Sequence, residues 1–262
     1  LGRGGMGVVV AAEHTALGEA VAIKMLKPDA MGSERARRRF MREARAAAKL
    51  QSPHVVRVRD VGTLPHGAPY LVMDRLYGVD LATVIARRGA LPIEEACLIA
   101  LQVFEALATA HGRGVVHRDI KPANLFLERA AHGELAVKLL DFGISKVVDS
   151  GEVLTGTTDL VGSPAYMSPE QLRASRDVDA RADVWSLGVV LYEMLSGRRP
   201  FRADSAADVS MMILVEPPPP LGEGLPSALV RSVERCLRKP RQERFASVGA
   251  IAAALAPFCG AE

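Results

Sequence analysis

The chain has few cysteines, and their scarcity excludes two common ways of stabilising a fold. Its 262 residues include three, Cys97, Cys236 and Cys259. They are far apart, odd in number and outside any CxxC pair, so the sequence indicates neither a disulfide framework nor a zinc site. We therefore expect reduced cysteines and a cytoplasmic location.

A charge excess of one sign is also missing. The chain has 33 lysines and arginines against 30 aspartates and glutamates, a formal net charge of +3. A charge balance this even favours neither nucleic acid nor a membrane surface as the main partner. We expect no nucleic-acid partner and no membrane contact within this segment.

Long apolar runs and a leader sequence are absent as well. No apolar run approaches the roughly 18 residues typical of a membrane span, and no signal-peptide pattern opens the chain. Because Leu1 is not an initiator methionine, we expect a longer parent protein, in which any membrane tether would lie outside this segment. With 49% hydrophobic residues, the chain can bury a sizeable core.

One stretch, residues 117–124, concentrates polar chemistry and reads His-Arg-Asp-Ile-Lys-Pro-Ala-Asn. A carboxylate at Asp119, an ammonium at Lys121 and an amide at Asn124 could supply a base, a phosphate partner and a metal ligand around one reacting oxygen. For His117 we favour packing over catalysis. The rest of the chain is expected to position this loop.

The N-terminus carries a GxGxxG pattern at Gly2, Gly4 and Gly7, which would let backbone amides approach phosphates. The valines at 8–10 predict a strand, whereas a dinucleotide fingerprint would open a helix. Taken alone, the glycines also fit a plain glycine-rich hairpin.

A second predicted strand, residues 21–24, places Ala22 and Lys24 on one face. Residues 33–50 then predict a helix with Ser33 as N-cap, and Glu43 lies beside its apolar stripe. Glu43 is thus the acid best placed to pair with Lys24.

Six arginines crowd that helix, at positions 35, 37, 38, 39, 42 and 45. We favour a solvated face for them, with a phosphate or docking contact as the alternative.

The later part of the chain changes from strands to helices. Predicted strands cover 55–61, 69–73, 125–127 and 137–140, with a connector at 74–78; predicted helices cover 93–112, 185–195, 205–215, 226–238 and 247–255. Asp183, before the apolar helix at 185–195, could cap that helix or brace another loop. Residues 144–166 lack periodicity and predict a mobile loop.

Together these segments resemble the protein kinase family, specifically the eukaryotic-like (Hanks-type) serine/threonine kinases of bacteria, over essentially the whole chain. Six motifs occur in the family's order: the glycine-rich loop, Val-Ala-Ile-Lys, a helical Glu, His-Arg-Asp through Asn, Asp-Phe-Gly at 141–143 and Ser-Pro-Glu at 168–170. The resemblance implies an α+β, bilobal fold with a small β-rich N-lobe containing one helix and a larger, mainly helical C-lobe. It implies one catalytic domain, 1–262, with the N-lobe and hinge at 1–76, the C-lobe at 77–262 and an activation loop at about 141–170.

By this resemblance the reacting groups have defined roles. Asp119 would accept the proton of the substrate hydroxyl, and Lys121 would neutralise the transferring γ-phosphoryl. Asn124 and Asp141 would bind two Mg²⁺ ions, and Lys24, oriented by Glu43, would hold the α- and β-phosphates of ATP.

The remaining site residues also follow from the resemblance. Gly2, Gly4 and Gly7 would cover the phosphates, and the adenine pocket would be formed by Val9, Ala22, Met73, Asp74, Leu76 and Phe126. Structural or regulatory roles would fall to Arg118, Phe142, Ser163, Glu170, Asp183 and Arg244. Glu170 would pair with Arg244, and Asp183 would accept backbone amides from the 117–124 loop.

Regulation would act through the activation loop. An arginine beside the base, Arg118, matches kinases whose loop is ordered by phosphorylation. Thr155, Thr157 and Thr158 are the candidate sites, and we favour Thr157. Ala47 stands where the family has a larger apolar residue, so we also expect the unphosphorylated chain to hold Lys24 and Glu43 apart.

The sequence therefore predicts an ATP-dependent, non-specific serine/threonine protein kinase that acts on protein substrates, with homodimerisation for trans-autophosphorylation left open. Two alternative functions stand beside this prediction. A nucleotide-binding pseudokinase or scaffold would have lost Lys24, Asp119 or Asn124, and none is lost. A small-molecule kinase of the aminoglycoside-phosphotransferase type would lack a regulated loop closed by Ser-Pro-Glu.

Overall fold

The N-terminal part of the computed structural model is an antiparallel sheet of five strands in the order β1-β2-β3-β5-β4. The strands are β1 (Gly2–Arg3), β2 (Gly7–His14), β3 (Glu19–Leu26), β4 (Val58–Thr63) and β5 (Pro69–Asp74). The structure describes residues 1–3, 7–27, 32–65, 67–129, 135–141, 164–173, 175 and 177–260. Within these residues, no helix combines the length and the apolarity needed to cross a membrane.

The register of this sheet positions the lysine predicted to bind phosphate. Val9 of β2 lies opposite Lys24 of β3, and Leu71 of β5 lies opposite Lys24 on the other side. Ala22, two residues earlier, shares the face of Lys24 and is buried beside Met73. The turn between β2 and β3 passes through Gly18 at a φ of 65°, which only glycine adopts readily.

One helix, α1 (Glu34–Ala48), packs on this sheet. Ser33 caps it as predicted, because its Oγ accepts a hydrogen bond from Ala36 N at 3.2 Å. Phe40 and Ala44 are buried against Leu26 and Leu71. The helix therefore packs on the sheet that carries Lys24, and Glu43 lines the same small cavity as Lys24.

The C-terminal part is mainly helical, with a small antiparallel sheet. The helices are α2 (Leu81–Arg88), α3 (Ile93–His111), α4 (Pro169–Leu172), α5 (Arg181–Ser196), α6 (Ala206–Val215), α7 (Ser227–Cys236) and α8 (Val248–Leu255), and the sheet contains β6 (Gly78–Asp80), β7 (Leu125–Arg129) and β8 (Leu135–Leu139) in the order β6-β7-β8. The bilobal architecture predicted from the sequence is confirmed.

Helix α5 forms the centre of this lobe, as its uniformly apolar sequence predicts. Trp185 is fully buried and stacks on Phe201 with 6.0 Å between ring centroids. Gly188 lets α7 cross closely, since a Cβ there would lie 2.5 Å from Cys236 Cβ. This rigid helix also carries Asp183, which is fully buried.

The strand predicted at 55–61 begins three residues later, at Val58. Val55 instead forms a bridge with Leu139 of β8, while Leu139 N donates to His54 O at 2.8 Å and Val56 N to Leu139 O at 3.3 Å. Residues 53–56, here called the lobe-joining segment, therefore pair with the C-lobe sheet. The apolar residues at 55–61 suit either the N-lobe sheet or the C-lobe sheet, so the sequence alone could not show that residues 55 and 56 pair with the C-lobe sheet.

Helix α2 and strand β6 were missed by the sequence interpretation, which placed only a connector at 74–78. Helix α2 has eight residues, too few for strong periodicity. A signal existed nonetheless, because Asp80 precedes the helix and its Oδ1 accepts from Thr83 N at 2.8 Å. An N-cap aspartate is a recognised helix start.

The predicted pair between Glu170 and Arg244 is present and bidentate. Arg244 Nη1 and Nη2 donate to Glu170 Oε1 and Oε2 at 2.7 and 2.9 Å, and the Arg244 side chain is fully buried. Burial alone would raise the pKa of Glu170, but the hydrogen bonds and charge of Arg244 outweigh it and hold the pKa below its ordinary value. The pair joins the start of α4 to the segment before α8.

Glu170→Gln should lower the free energy of unfolding at pH 7 by about 3–5 kcal/mol, because Arg244 would remain buried without a counter-charge. The depressed pKa means that wild-type Glu170 contributes its stability above the ordinary glutamate range and loses it as the pH falls through the folded-state value. Urea unfolding should thus give free energies of unfolding for the wild type and for Glu170→Gln that differ at pH 7 and converge at low pH. Glu234→Gln, at an exposed glutamate, is the control, and a pH-independent difference would contradict the assignment.

Candidate active site

The 117–124 loop is held by one buried carboxylate. Asp183 Oδ2 accepts from His117 N at 2.9 Å, and its Oδ1 accepts from Arg118 N at 2.8 Å. Arg118 has a φ of 66°, an unusual conformation for a residue other than glycine. Helix α5 has Ala180 as its N-cap and no side-chain cap. Of the two alternatives left open by the sequence, Asp183 therefore braces the loop.

His111, in the last turn of α3, was missed by the sequence interpretation. Its Nε2 lies 2.7 Å from Asp183 Oδ2, so the same carboxylate joins α3, α5 and the loop. A histidine that ends a helix six residues before His117 was a usable signal, but it did not reveal the partner.

His117 is fully buried and serves packing, as expected. Its Nδ1 accepts from Asp119 N at 3.2 Å, which places the ring proton on Nε2 for donation to Leu140 O at 3.1 Å. Burial lowers the pKa of the imidazole more than the neighbouring carboxylates raise it. His117 is thus uncharged, and its hydrogen bonds link the loop to the end of the strand that precedes Asp141.

The three polar groups of the loop converge on Asp119. Lys121 Nζ donates to Asp119 Oδ2 at 2.9 Å, and Asn124 Nδ2 donates to Asp119 O at 2.8 Å and to Oδ2 at 3.2 Å. A 3₁₀ turn, Pro122–Asn124, brings Asn124 back, and fully buried Ile120 anchors the loop to the core. The carboxylate of Asp119 is thereby fixed in direction before any substrate arrives.

Asp141 lies next to this cluster. Leu140 N donates to Asn124 O at 2.9 Å, and Asp141 itself adopts a φ of 47° immediately after β8. Lys24 Nζ reaches across from the N-lobe to Asp141 Oδ1 at 2.5 Å. The structure therefore brings Lys24, Asp119, Asn124 and Asp141 to one end of the interlobe cleft.

The donor atoms suit a hard cation. Both side-chain hydrogen bonds of Asn124 use its nitrogen, so its amide oxygen is the atom available to a metal, and Asp141 adds carboxylate oxygens. Oxygen donors of this kind fit Mg²⁺ rather than a thiophilic metal. The described residues contain no group of three or more histidine, cysteine, aspartate and glutamate side chains that could hold a metal by itself.

Lys24 and Glu43 line one small cavity of about 30 Å³, together with Ala47 and Asp141. Among the ion pairs of the described residues, Lys24 pairs with Asp141 at 2.5 Å. That the unphosphorylated chain holds Lys24 and Glu43 apart, and that phosphorylation brings them together, stay predictions.

The residues predicted for the adenine pocket are divided between strands of the two sheets. Val9 is in β2, Ala22 in β3 beside Met73, and Phe126 in β7 opposite Asp80. Gly7 must remain glycine, because a Cβ there would lie 2.8 Å from Met25 O.

The hinge residue Asp74 is tied in two ways. Its amide donates to Arg57 O at 3.1 Å, and its carboxylate pairs with Arg59 Nε at 2.5 Å. Arg59 also contacts Glu19, at the start of β3. These charged contacts of Asp74 were not foreseen. Leu76 follows in the connector, partly buried.

The side chain of Arg118 is partly buried. Its Nη2 donates to Val178 O at 3.2 Å, but its Nε is buried without a hydrogen-bond partner. Burial lowers the pKa of this guanidinium more than nearby Asp183 raises it. Gln171, a residue that the sequence interpretation missed, donates from Nε2 to Arg118 O at 2.9 Å and links α4 to the loop.

Several predicted residues lie outside the described part of the chain. They are Gly4, Phe142, Thr155, Thr157, Thr158 and Ser163. Of the predicted activation loop, the structure describes Asp141 and residues 164–170.

The fold and the loop cluster agree with comparison to known proteins. The family model described as "Protein kinase domain" matches residues 1–255. The chain belongs to this family.

Its relatives are bacterial serine/threonine kinases. The chain is 39% identical over 263 residues to serine/threonine-protein kinase pkn3 of Myxococcus xanthus, covering 97% of this chain and 48% of the relative. It is 39% identical over 257 residues to serine/threonine-protein kinase PknH of Mycobacterium tuberculosis, covering 97% and 40%. The chain thus spans less than half the length of these relatives. The crystal structure of the Mycobacterium tuberculosis PknI kinase domain superposes with a TM-score of 0.77 at 30% identity, covering 98% of this chain and 93% of that one.

Asp183→Asn should loosen the loop while leaving the shape of α5 intact. An amide group keeps one acceptor oxygen, so Arg118 N, His117 N and His111 cannot all remain bonded, and the free energy of unfolding should fall by about 1–3 kcal/mol. Amide hydrogen exchange should accelerate at His117 and Arg118 more than within α5. Asp204→Asn, at an exposed aspartate, is the control, and unchanged exchange at the loop would count against the bracing role.

Proposed function

We propose that the chain is a serine/threonine protein kinase that transfers the γ-phosphoryl group of ATP to serine or threonine hydroxyls of proteins. The observation that carries the proposal is the cluster on Asp119, where Lys121 and Asn124 both donate to one carboxylate oxygen. Family membership and the printed names of the relatives support it.

In this proposal Asp119 orients the substrate hydroxyl and receives its proton. Lys121, 2.9 Å from Asp119 Oδ2, is close enough to the base to neutralise charge that develops on the phosphoryl oxygens. Because base and ammonium belong to one braced loop, their separation is set before substrate binds, which reduces the reorganisation needed in the transition state.

Nucleotide would occupy the cleft between the lobes. Gly2, Gly4 and Gly7 would allow backbone amides to approach the phosphates, and Lys24 would pair with them on leaving Asp141. The amide oxygen of Asn124 and the carboxylate of Asp141 would hold two Mg²⁺ ions, which would neutralise phosphate charge during transfer. Val9, Ala22, Phe126 and the connector after Asp74 would enclose the adenine.

No observation favours the pseudokinase alternative, since Lys24, Asp119, Asn124 and Asp141 are all present and lie together. The kinase proposal implies that the substrates are proteins. It also implies that the two lobes divide at the connector around residue 76.

Asp119→Asn should abolish nearly all phosphoryl transfer to a protein substrate while retaining ATP binding, because the amide keeps the shape of the side chain but cannot take the proton. General-base removal of this kind costs about 10²–10⁴-fold in rate. Radiolabel transfer to a general acceptor such as myelin basic protein, together with calorimetric ATP binding, tests this. Asp204→Asn should retain full turnover, and wild-type turnover by Asp119→Asn would refute the base assignment.

We further propose that autophosphorylation of Thr155, Thr157 or Thr158 switches the enzyme on. A phosphothreonine would supply the anion that the partly buried guanidinium of Arg118 lacks, and Gln171 would transmit the ordering of the loop to α4.

Incubation with Mg-ATP should therefore place phosphate on Thr155, Thr157 or Thr158, as read by mass spectrometry. The Asp119→Asn chain alone should stay unlabelled, and its labelling by added wild-type chain would show transfer between two copies. Arg118→Ala should retain labelling but lose the activation that labelling produces. Phosphate found only outside residues 144–167 would remove the proposal.

A further inference from the structure

A second cavity, of about 360 Å³, opens between α1 and the turn that joins β4 to β5. Arg37, Arg38 and Arg45 of α1 form one wall, and Thr63 and Gly67 contribute to the other. None of the candidate active-site residues lines it. The cavity therefore needs an explanation of its own.

The spacing of the arginines explains why they meet there. Positions 37, 38, 41 and 45 recur at about one helical turn, so they share one face of α1, next to the face that buries Phe40 and Ala44. The arginine run that the sequence suggested as a solvated face thus divides, and part of it forms this wall.

The charges of the cavity are unbalanced. Glu34 is the one acid among its lining residues, against three arginines. Its Oε2 accepts from Arg37 Nη2 at 2.5 Å, and its Oε1 lies 3.7 Å from Arg38 Nε. The ion pairs found in the described part of the chain do not include Arg45. A net excess of two positive charges favours an anionic occupant.

One lining residue has a hydrogen-bond donor without an acceptor. Arg37 Nε is buried and has no hydrogen-bond partner. Most buried polar atoms in proteins are bonded, so Glu34 does not use the full hydrogen-bonding capacity of the Arg37 guanidinium. Guanidinium groups bind phosphate oxygens in a forked geometry, and several of them can share one phosphate.

We propose that this cavity binds the phosphate group of a phosphorylated serine or threonine in a peptide. A phosphomonoester carries close to two negative charges at neutral pH, which matches the excess of the lining residues. Thr63 and Gly67 line the cavity across from the arginines, where the residues that flank the phosphate would lie. The N–H of Gly67 already donates to Leu64 O at 2.8 Å, so Gly67 would contribute its carbonyl oxygen. Binding here does not require that the chain itself make the phosphate, so the proposal goes beyond the kinase activity.

Fluorescence anisotropy with a labelled peptide tests the site. The probe copies residues 152–163, phosphorylated at Thr157, and the protein is the full chain carrying Asp119→Asn and Arg118→Ala, so that neither turnover nor Arg118 contributes. We expect Arg38→Ala and Arg45→Ala each to weaken binding about tenfold, as for loss of a charge-assisted hydrogen bond. Arg42→Ala, on α1 but outside the cavity, should change the Kd less than twofold.

The proposal thus expects a lower Kd for the phosphorylated peptide than for the unphosphorylated one, and a higher Kd in Arg38→Ala and Arg45→Ala. Circular dichroism confirms that each variant is folded. Equal binding of the unphosphorylated peptide, or of one with glutamate at position 157, would replace the proposal with general acidic docking. An equal loss with Arg42→Ala would reduce it to diffuse charge. Self-association of the chain that disappears in Arg38→Ala would assign the cavity to a second copy and overturn the proposal.

Discussion

The candidate active site depends on one buried carboxylate. Asp183 accepts the backbone amides of His117 and Arg118 and contacts His111, so it connects two long helices to the loop that carries Asp119. A fully buried charge is tolerated only when its lone pairs are used, and here they are. The two amide bonds fix the turn in which Arg118 adopts a positive φ.

The braced loop in turn positions the other polar groups of the candidate site. The same tight turn directs Asp119 toward Lys121 and Asn124, and Asn124 is in turn bonded through its backbone to Leu140, the residue before Asp141. Each reactive group is thus positioned by a neighbour in a rigid core. The described groups of the candidate active site therefore lie mainly in the C-lobe, to which the N-lobe adds Lys24.

Much of this could be predicted from the sequence, for reasons visible in particular residues. Motif residues such as Asp119, Asn124 and Asp141 keep fixed spacings because one loop and one strand end determine their positions. The pairs of His111 with Asp183 and of Asp74 with Arg59 could not be predicted, since the partners are 72 and 15 residues apart and no local pattern specifies either pairing. Helix α2 was missed because eight residues give little periodicity. The start of β4 was predicted too early because Val55 and Val56 pair with Leu139 of β8 and not with a strand of the N-lobe sheet.

The lobe-joining segment at 53–56 has a mechanical consequence for α1. Its hydrogen bonds to Leu139 attach the C-terminal end of the helix to the C-lobe, whereas Glu34 at the other end has no such attachment among the described backbone bonds. Helix α1 is therefore attached to the C-lobe just beyond Leu50. A rotation about this attachment would displace Arg37 and Arg38 more than Glu43, so a large displacement at the far end of the helix would become a smaller one beside Lys24.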